Sequence, residues 1–309
     1  MKNKTLKIIT TLFIALSLTG CTKILKDDKK PVQNPETGQN LVSNILCQPE
    51  NETTIDIYKE HNIDLEKLPK CKNYKITSNG YEGLWTTLFV KPIARLIIIG
   101  ELVKNYGLSV IILKLAIRGI LYPITKKTAM QSENMKKAKP KLDKLEQKYK
   151  GKTDQESMMK KSQEMMLIYK ENNINPLSGC LFSLIQIPLF FAFYEALNRL
   201  PVIFEENFLG FQLGTSPLTA FKSGHWLYII FPILVCAATF FSFKLNQTAS
   251  MNSEQEQQMK TMMNVSIIFI TMASFTMSTG IELYWIFSNG FTIFQNLLVK
   301  RRKKNANII

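Results

Sequence analysis

An all-α polytopic membrane protein is the fold class this sequence predicts: five transmembrane helices, an interfacial amphipathic helix and a cytoplasmic helical hairpin. Three observations carry that expectation. Leu177–Leu197 and Trp226–Phe243 are almost free of charge over about the twenty residues that a bilayer needs. Lys126–Lys170 is by contrast dense in lysine. Met1–Cys21 reads as a secretory signal.

The chain has 309 residues, with 39 basic and 24 acidic ones, for a net charge of +15. Its mean hydropathy of −0.02 resembles that of a soluble protein, but it averages apolar runs and lysine-rich loops. His61 and His225 lie too far apart in sequence to suggest a histidine metal site or a serine–histidine triad. There is no glycine-rich phosphate loop and no H-E-x-x-H. The reading is therefore not an enzyme, with no cofactor, no metal and no DNA partner.

At the N-terminus, Lys2, Lys4 and Lys7 precede the short apolar stretch Ile8–Gly20, which ends in Leu18-Thr19-Gly20-Cys21. That tetrapeptide resembles the lipobox of bacterial lipoproteins, which implies cleavage after residue 20 and a lipid on Cys21 at the outer face. Residues 21–83 form an extracytoplasmic tether, poor in aromatics and expected to pack little. Within it Cys47 and Cys71 either form a disulfide, which an oxidising compartment permits, or remain two free thiols. Cys180 and Cys236 fall in apolar runs and read as packing residues.

The pattern over 84–105 predicts the interfacial helix, with Thr87, Lys91 and Arg95 on one face and Trp85, Phe89, Ile93, Leu96 and Ile97 on the other. The core, 106–299, holds spans near 106–125, 176–197, 225–243, 261–278 and 281–299. An outer N-terminus puts the loop after span one in the cytoplasm. That loop has 13 lysines over 126–172, whereas 198–224 has only Arg199 and Lys222, so the positive-inside bias agrees with the lipid anchor. The tail, 300–309, opens with Lys300-Arg301-Arg302-Lys303-Lys304 and suits either anionic headgroups or ribosomal RNA.

The loop 126–173 is itself expected to fold as a hairpin. Met135, Ala138, Leu142, Leu145 and Tyr149 form one seam; Met158, Ser162, Met165 and Tyr169 form the other. Thr153 to Glu156 reads as a capping box, and Pro140 as a kink or start of the first arm. Met159 and Met166 are left as candidates for an exposed apolar contact.

Arg118 stands inside span one, where burying a guanidinium costs about 2.5–3.5 kcal/mol on insertion scales, so it reads as functional. Gln186, Tyr284, Trp285, Ser288, Asn289 and Gln295 add polar groups to other spans and suggest a wet cavity. Lys114, one turn before Arg118, either pairs with Glu282 or stays in the cavity as a second cation, with Glu282 facing outside solvent.

Several stretches together resemble the YidC/Oxa/Alb family of membrane protein insertases. They are Ile117-Arg118 with Leu121-Tyr122-Pro123; Ala138-Lys139-Pro140; Asn175-Pro176-Leu177-Ser178-Gly179-Cys180-Leu181 through Gln186-Ile187-Pro188; and Leu283-Tyr284-Trp285-Ile286-Phe287-Ser288-Asn289. They run in family order over about 85–304, and the lipobox is similar to that of the branch in bacteria with a single membrane. The resemblance implies five spans around a hydrophilic groove open to cytoplasm and lipid, with Arg118 in the groove and Gln186 and Trp285 at other groove positions. It implies nascent membrane proteins as substrates, a hairpin that receives them, a basic tail that engages the ribosome, and work alone or with the Sec translocon in the lipids of the bacterial cell membrane. Lys114 and Glu282 depart from the family's usual apolar or small residues. The other reading is a small secondary transporter binding an anionic solute at Arg118, but no internal repeat supports it.

Overall fold

The computed structural model describes residues 22–100, 104–175, 178–246 and 253–306, so the signal segment and Cys21 lie outside the described residues. The chain divides into two compact units: residues up to 114 with 187–232 and 273–285, and residues 115–186 with 233–272 and 286 onward.

The first unit contains the tether, which is not the loosely packed segment its composition suggests. Leu25, Leu41, Val42, Ile45 and Tyr58 form a buried core together with Phe204, and Val32, Ile57, Ile63, Leu65 and Leu68 pack against it. Two short antiparallel strands, β1 (Lys26–Asp27) and β2 (Lys30–Pro31), open the segment. Helix α1 (Glu52–Glu60) follows, and its Asn51 side chain caps the N-terminus by accepting from the Thr54 amide at 3.1 Å. Cys47 and Cys71 are joined as a disulfide. Composition misled here because a core of this size needs few apolar residues when a distant one, Phe204, completes it.

The interfacial segment departs from its expected faces at Lys91. A π-helical turn, Thr86–Val90, leads into α2 (Lys91–Ile99). Lys91, placed on the polar face, is fully buried; Phe89 and Leu96 of the apolar face are exposed, as side chains that meet lipid would be. Trp85, Ile93 and Ile97 are buried as expected. A π turn advances the chain by more than 3.6 residues per turn, so a stripe read at constant helical period loses phase there.

Beyond it lie α3 (Tyr106–Ile120), α4 (Tyr122–Lys148), α5 (Gln155–Glu171), α6 (Ser178–Asn198), α7 (Pro201–Phe204), α8 (Pro217–Lys222), α9 (Ile230–Asn246), α10 (Ser253–Ser274) and α11 (Thr279–Ala306). A small hairpin, β3 (Asn207–Phe208) with β4 (Phe211–Gln212), sits between α7 and α8. The residues of α3, α6, α9, α10 and α11 are shared between the two units. Among the described residues, Trp226–Leu245 is long and apolar enough to cross a bilayer, and α3 with α4 passes the same test as a pair bent by 68°. Along α10, Met262, Val265, Ile268, Phe269 and Met272 are all exposed, an apolar stripe that a water-soluble surface does not carry.

The second unit contains the hairpin. Its first arm starts at Tyr122, with Pro123 in the first turn, where a missing amide hydrogen costs nothing. Pro140 lies within α4 and does not start the arm. Met135, Ala138, Leu142, Tyr169 and Ile174 form the seam, with Met165 and Ile168 packed against it. Met158 and Ser162 were expected in the seam but are exposed; Met159 and Met166 are exposed, as expected. The cap of α5 is Asp154, one residue after the expected Thr153, and its carboxylate accepts from the Ser157 amide at 2.8 Å, which holds its pKa below the ordinary carboxylate value. Glu164 accepts from Lys148 at 2.6 Å and from Tyr149 Oη at 2.8 Å, closing the far end of the hairpin. The basic tail continues α11 without a break as far as Ala306.

Candidate functional site: two buried cations of α3

In the second unit Arg118 is 3% exposed and its Nη2 donates to Ser288 Oγ at 2.8 Å. Thr125 Oγ1 lies 3.0 Å from Gln295 Oε1, and Thr292 donates to the Ser288 carbonyl at 3.1 Å, all of them buried. The Arg118–Ser288 and Thr125–Gln295 pairs share one sequence offset, 170 residues, so residues 118–125 and 288–295 run in the same direction in matched register. Gln186 and Asn289, two more of the predicted groove residues, are half-buried in this unit. A guanidinium inside an apolar helix stays only where polar partners replace water, and the serine and its polar neighbours on α11 are such partners.

In the first unit Lys114 is fully buried. Its Nζ donates to Tyr284 Oη at 2.8 Å, lies 4.0 Å from the centroid of the Tyr284 ring and 5.5 Å from that of Phe193. Phe193 and Tyr284 pack against each other at 4.6 Å, and Trp285 meets Phe190 edge-on at 5.0 Å. The ammonium is thus held by aromatic faces and one phenol, a cation–π arrangement.

Neither reading of Glu282 holds. It is 1% exposed, and among the described residues neither carboxyl oxygen meets a hydrogen-bond donor, so it does not pair with Lys114 and does not face solvent. Register explains the missed pair: Lys114 takes the offset of 170 that leads to Tyr284, two residues beyond Glu282.

Sequence reasoning missed a second ionic group in the first unit. Arg199, 1% exposed, binds Glu195 Oε1 at 3.0 Å, the Glu82 carboxylate, and the Asn44 carbonyl at 2.6 Å. Trp85 donates to Glu195 Oε2 at 3.0 Å. Lys91 lies 3.3 Å from Glu82 and donates to the carbonyls of Ser78 at 2.8 Å and Gly80 at 2.5 Å. Two cations and two anions balance, which is what makes their burial tolerable. The signal available in sequence was Glu195 four residues before Arg199, an acid-to-base helical pair.

A helical protein with an apolar outer stripe and an apolar segment long enough to span a bilayer has the features of a membrane protein. The comparisons agree. The model of the family described as "60Kd inner membrane protein" matches residues 98–306, so the chain belongs to that family. A curated relative from Oceanobacillus iheyensis, "Membrane protein insertase YidC", is 37% identical over 235 residues, covering 74% of this chain and 88% of its own length. Another, "Membrane protein insertase MisCA" from Bacillus subtilis, is 34% identical over 218 residues, covering 70% and 79%. A solved structure, "Active YidC insertase crystal structure with the first transmembrane domain resolved", aligns over 72% of this chain and 48% of its own at 22% identity, with a TM-score of 0.42. Neither curated relative supports the transporter reading.

Proposed function

We propose that the chain inserts integral membrane proteins into the cell membrane and helps them fold. The observation that carries this is membership of the family over 98–306, together with relatives named as insertases that it matches over most of their length. In this reading five spans cross the bilayer, the hairpin at 126–173 lies in the cytoplasm, and Cys21 carries the lipid on the outer face. A nascent chain must move a short hydrophilic segment through hydrocarbon. Arg118, with Ser288, Asn289 and Gln186, supplies a polar path and a cation that attracts the acidic residues of that segment. The apolar span then leaves sideways into lipid, and burial of its apolar surface drives the step without a nucleotide. The ribosome at the basic tail, the Sec translocon and anionic lipids are the partners proposed, and Met159 and Met166 the exposed hairpin contact.

The test is depletion of the protein in its native cell, followed by protease protection of newly made single-span proteins. Failure of their hydrophilic ends to reach the outside is the expected result; unchanged insertion would remove the proposal. Fatty-acid labelling tests the anchor: Cys21→Ala abolishes the label if the lipoprotein reading is right.

A further inference from the structure

The hairpin β3–β4 turns through Leu209 and Gly210, with Phe208 paired to Phe211 and Asn207 to Gln212. Both turn residues have positive φ, 53° and 84°. A two-residue turn of this kind favours Asn-Gly or Asp-Gly, because a branched apolar side chain is strained at positive φ. Leucine is therefore a poor choice for the turn, and it is not there for packing either, since it is 81% exposed. A strained, exposed, apolar residue at the tip of a hairpin calls for an occupant outside the chain.

The position of the hairpin says which occupant. Phe211 packs edge-on against Tyr228 at 5.1 Å and Phe231 at 4.9 Å, and Tyr228 Oη accepts from the Gln212 amide at 2.7 Å. Those aromatics belong to the first turns of the apolar segment Trp226–Leu245. Phe208 stands over Gly107, so close that a Cβ there would meet its ring at 2.7 Å, and Gly107 opens α3. The hairpin is thus seated on the entry turns of two helices read as spans. That is the depth of the headgroups, where Trp226 and Leu227 are also exposed, at 69% and 77%.

We infer that the Leu209–Gly210 tip is a lipid-contacting wedge, which places its leucine in the leaflet that Tyr106 and Trp226 enter. This rests on the membrane-embedded reading above and adds a surface to it; the partner is the bilayer itself.

The test uses the full chain in phospholipid vesicles, with a benzophenone amino acid at one position at a time: 209, 233 on α9 as a lipid-facing control, and 60 at the end of α1 as a solvent control. Ile233 is 58% exposed, and Glu60 is exposed. The expected lipid adduct at 209 is within about twofold of that at 233 and at least about fivefold above that at 60. Adducts at 233 but not at 209 would overturn the wedge and leave the membrane reading standing. Adducts at neither would overturn both, and an adduct at 209 to a second protein copy without lipid would assign the tip to a protein partner instead. A second measurement guards against a misfolded variant: Leu209→Asn, which suits the turn, should raise the thermal midpoint in detergent and lower lipid-vesicle retention of the hairpin, read as protease cleavage at 207–212. A lower midpoint with unchanged cleavage would mean that Leu209 serves the fold and not the membrane.

Discussion

Lys114 and Arg118 stand four residues apart on α3, and each donates to a residue of α11, yet the two are held by different chemistry. Around Lys114 the partners include two rings and a phenol, which suit a compact ammonium. Arg118 donates to an aliphatic hydroxyl, Ser288 Oγ, on a stretch of α11 that also carries Thr292 and Gln295. The first arrangement fixes a charge in place. The second keeps a charge among small polar groups that a passing carboxylate could replace. Two cations that look equivalent in sequence thus have different partners, and the proposal of a working role for Arg118 can be tested against Lys114.

The largest expected effect breaks the second arrangement. Arg118→Glu should lower insertion of clients with acidic translocated segments by at least about tenfold, about 1.4 kcal/mol, while Arg118→Lys keeps most of it. Protease protection of such clients in inverted vesicles measures it. Equal insertion by wild type and Arg118→Glu would take the working role away from this residue.

Lys114→Glu should act on stability instead. It puts a second buried acid on aromatic faces and should cost about 3 kcal/mol or more, read as lower abundance and a lower unfolding midpoint in detergent. Lys114→Met keeps the length and should be milder, with insertion by the surviving protein unchanged. A selective loss of insertion at normal abundance would make Lys114 a working cation too.

The charge swap Lys114→Glu with Glu282→Lys sharpens the comparison further. With neither oxygen of Glu282 near a donor, the double variant should recover little, a coupling of less than about 0.5 kcal/mol. Substantial recovery of abundance would restore the ion pair that the sequence suggested. The smallest effect is Tyr284→Phe, which keeps the ring and removes one hydrogen bond, and should cost about 1 kcal/mol in unfolding stability. A cost near zero would mean that the Tyr284 hydroxyl adds nothing to the cation–π contact.

Arg118 stood out in the sequence because a charge in an apolar helix has few bland explanations, and the structure buries it against Ser288. The hairpin was legible because its seam repeats at helical spacing, and Met135, Ala138, Leu142 and Tyr169 do form it. The family followed from motifs spread over most of the chain. Periodicity failed wherever the local geometry changed: Lys91 turned inward after a π turn, and Met158 and Ser162 turned outward on an arm whose cap begins one residue later than read.

By itself the sequence determined the apolar runs, the helical hairpin and the family, because each is read from local patterns or from short motifs in order along the chain. Only the tertiary structure decided which groups meet. It gave Lys114 to Tyr284 and not to Glu282, joined Arg199 to Glu82, completed the core of residues 22–83 with Phe204, and seated the β3–β4 hairpin on the entry turns of two helices through Phe208 and Phe211. Partners far apart in sequence are chosen by register between packed helices, and a shift of two residues moves a side chain to another face of its helix, which no local pattern records.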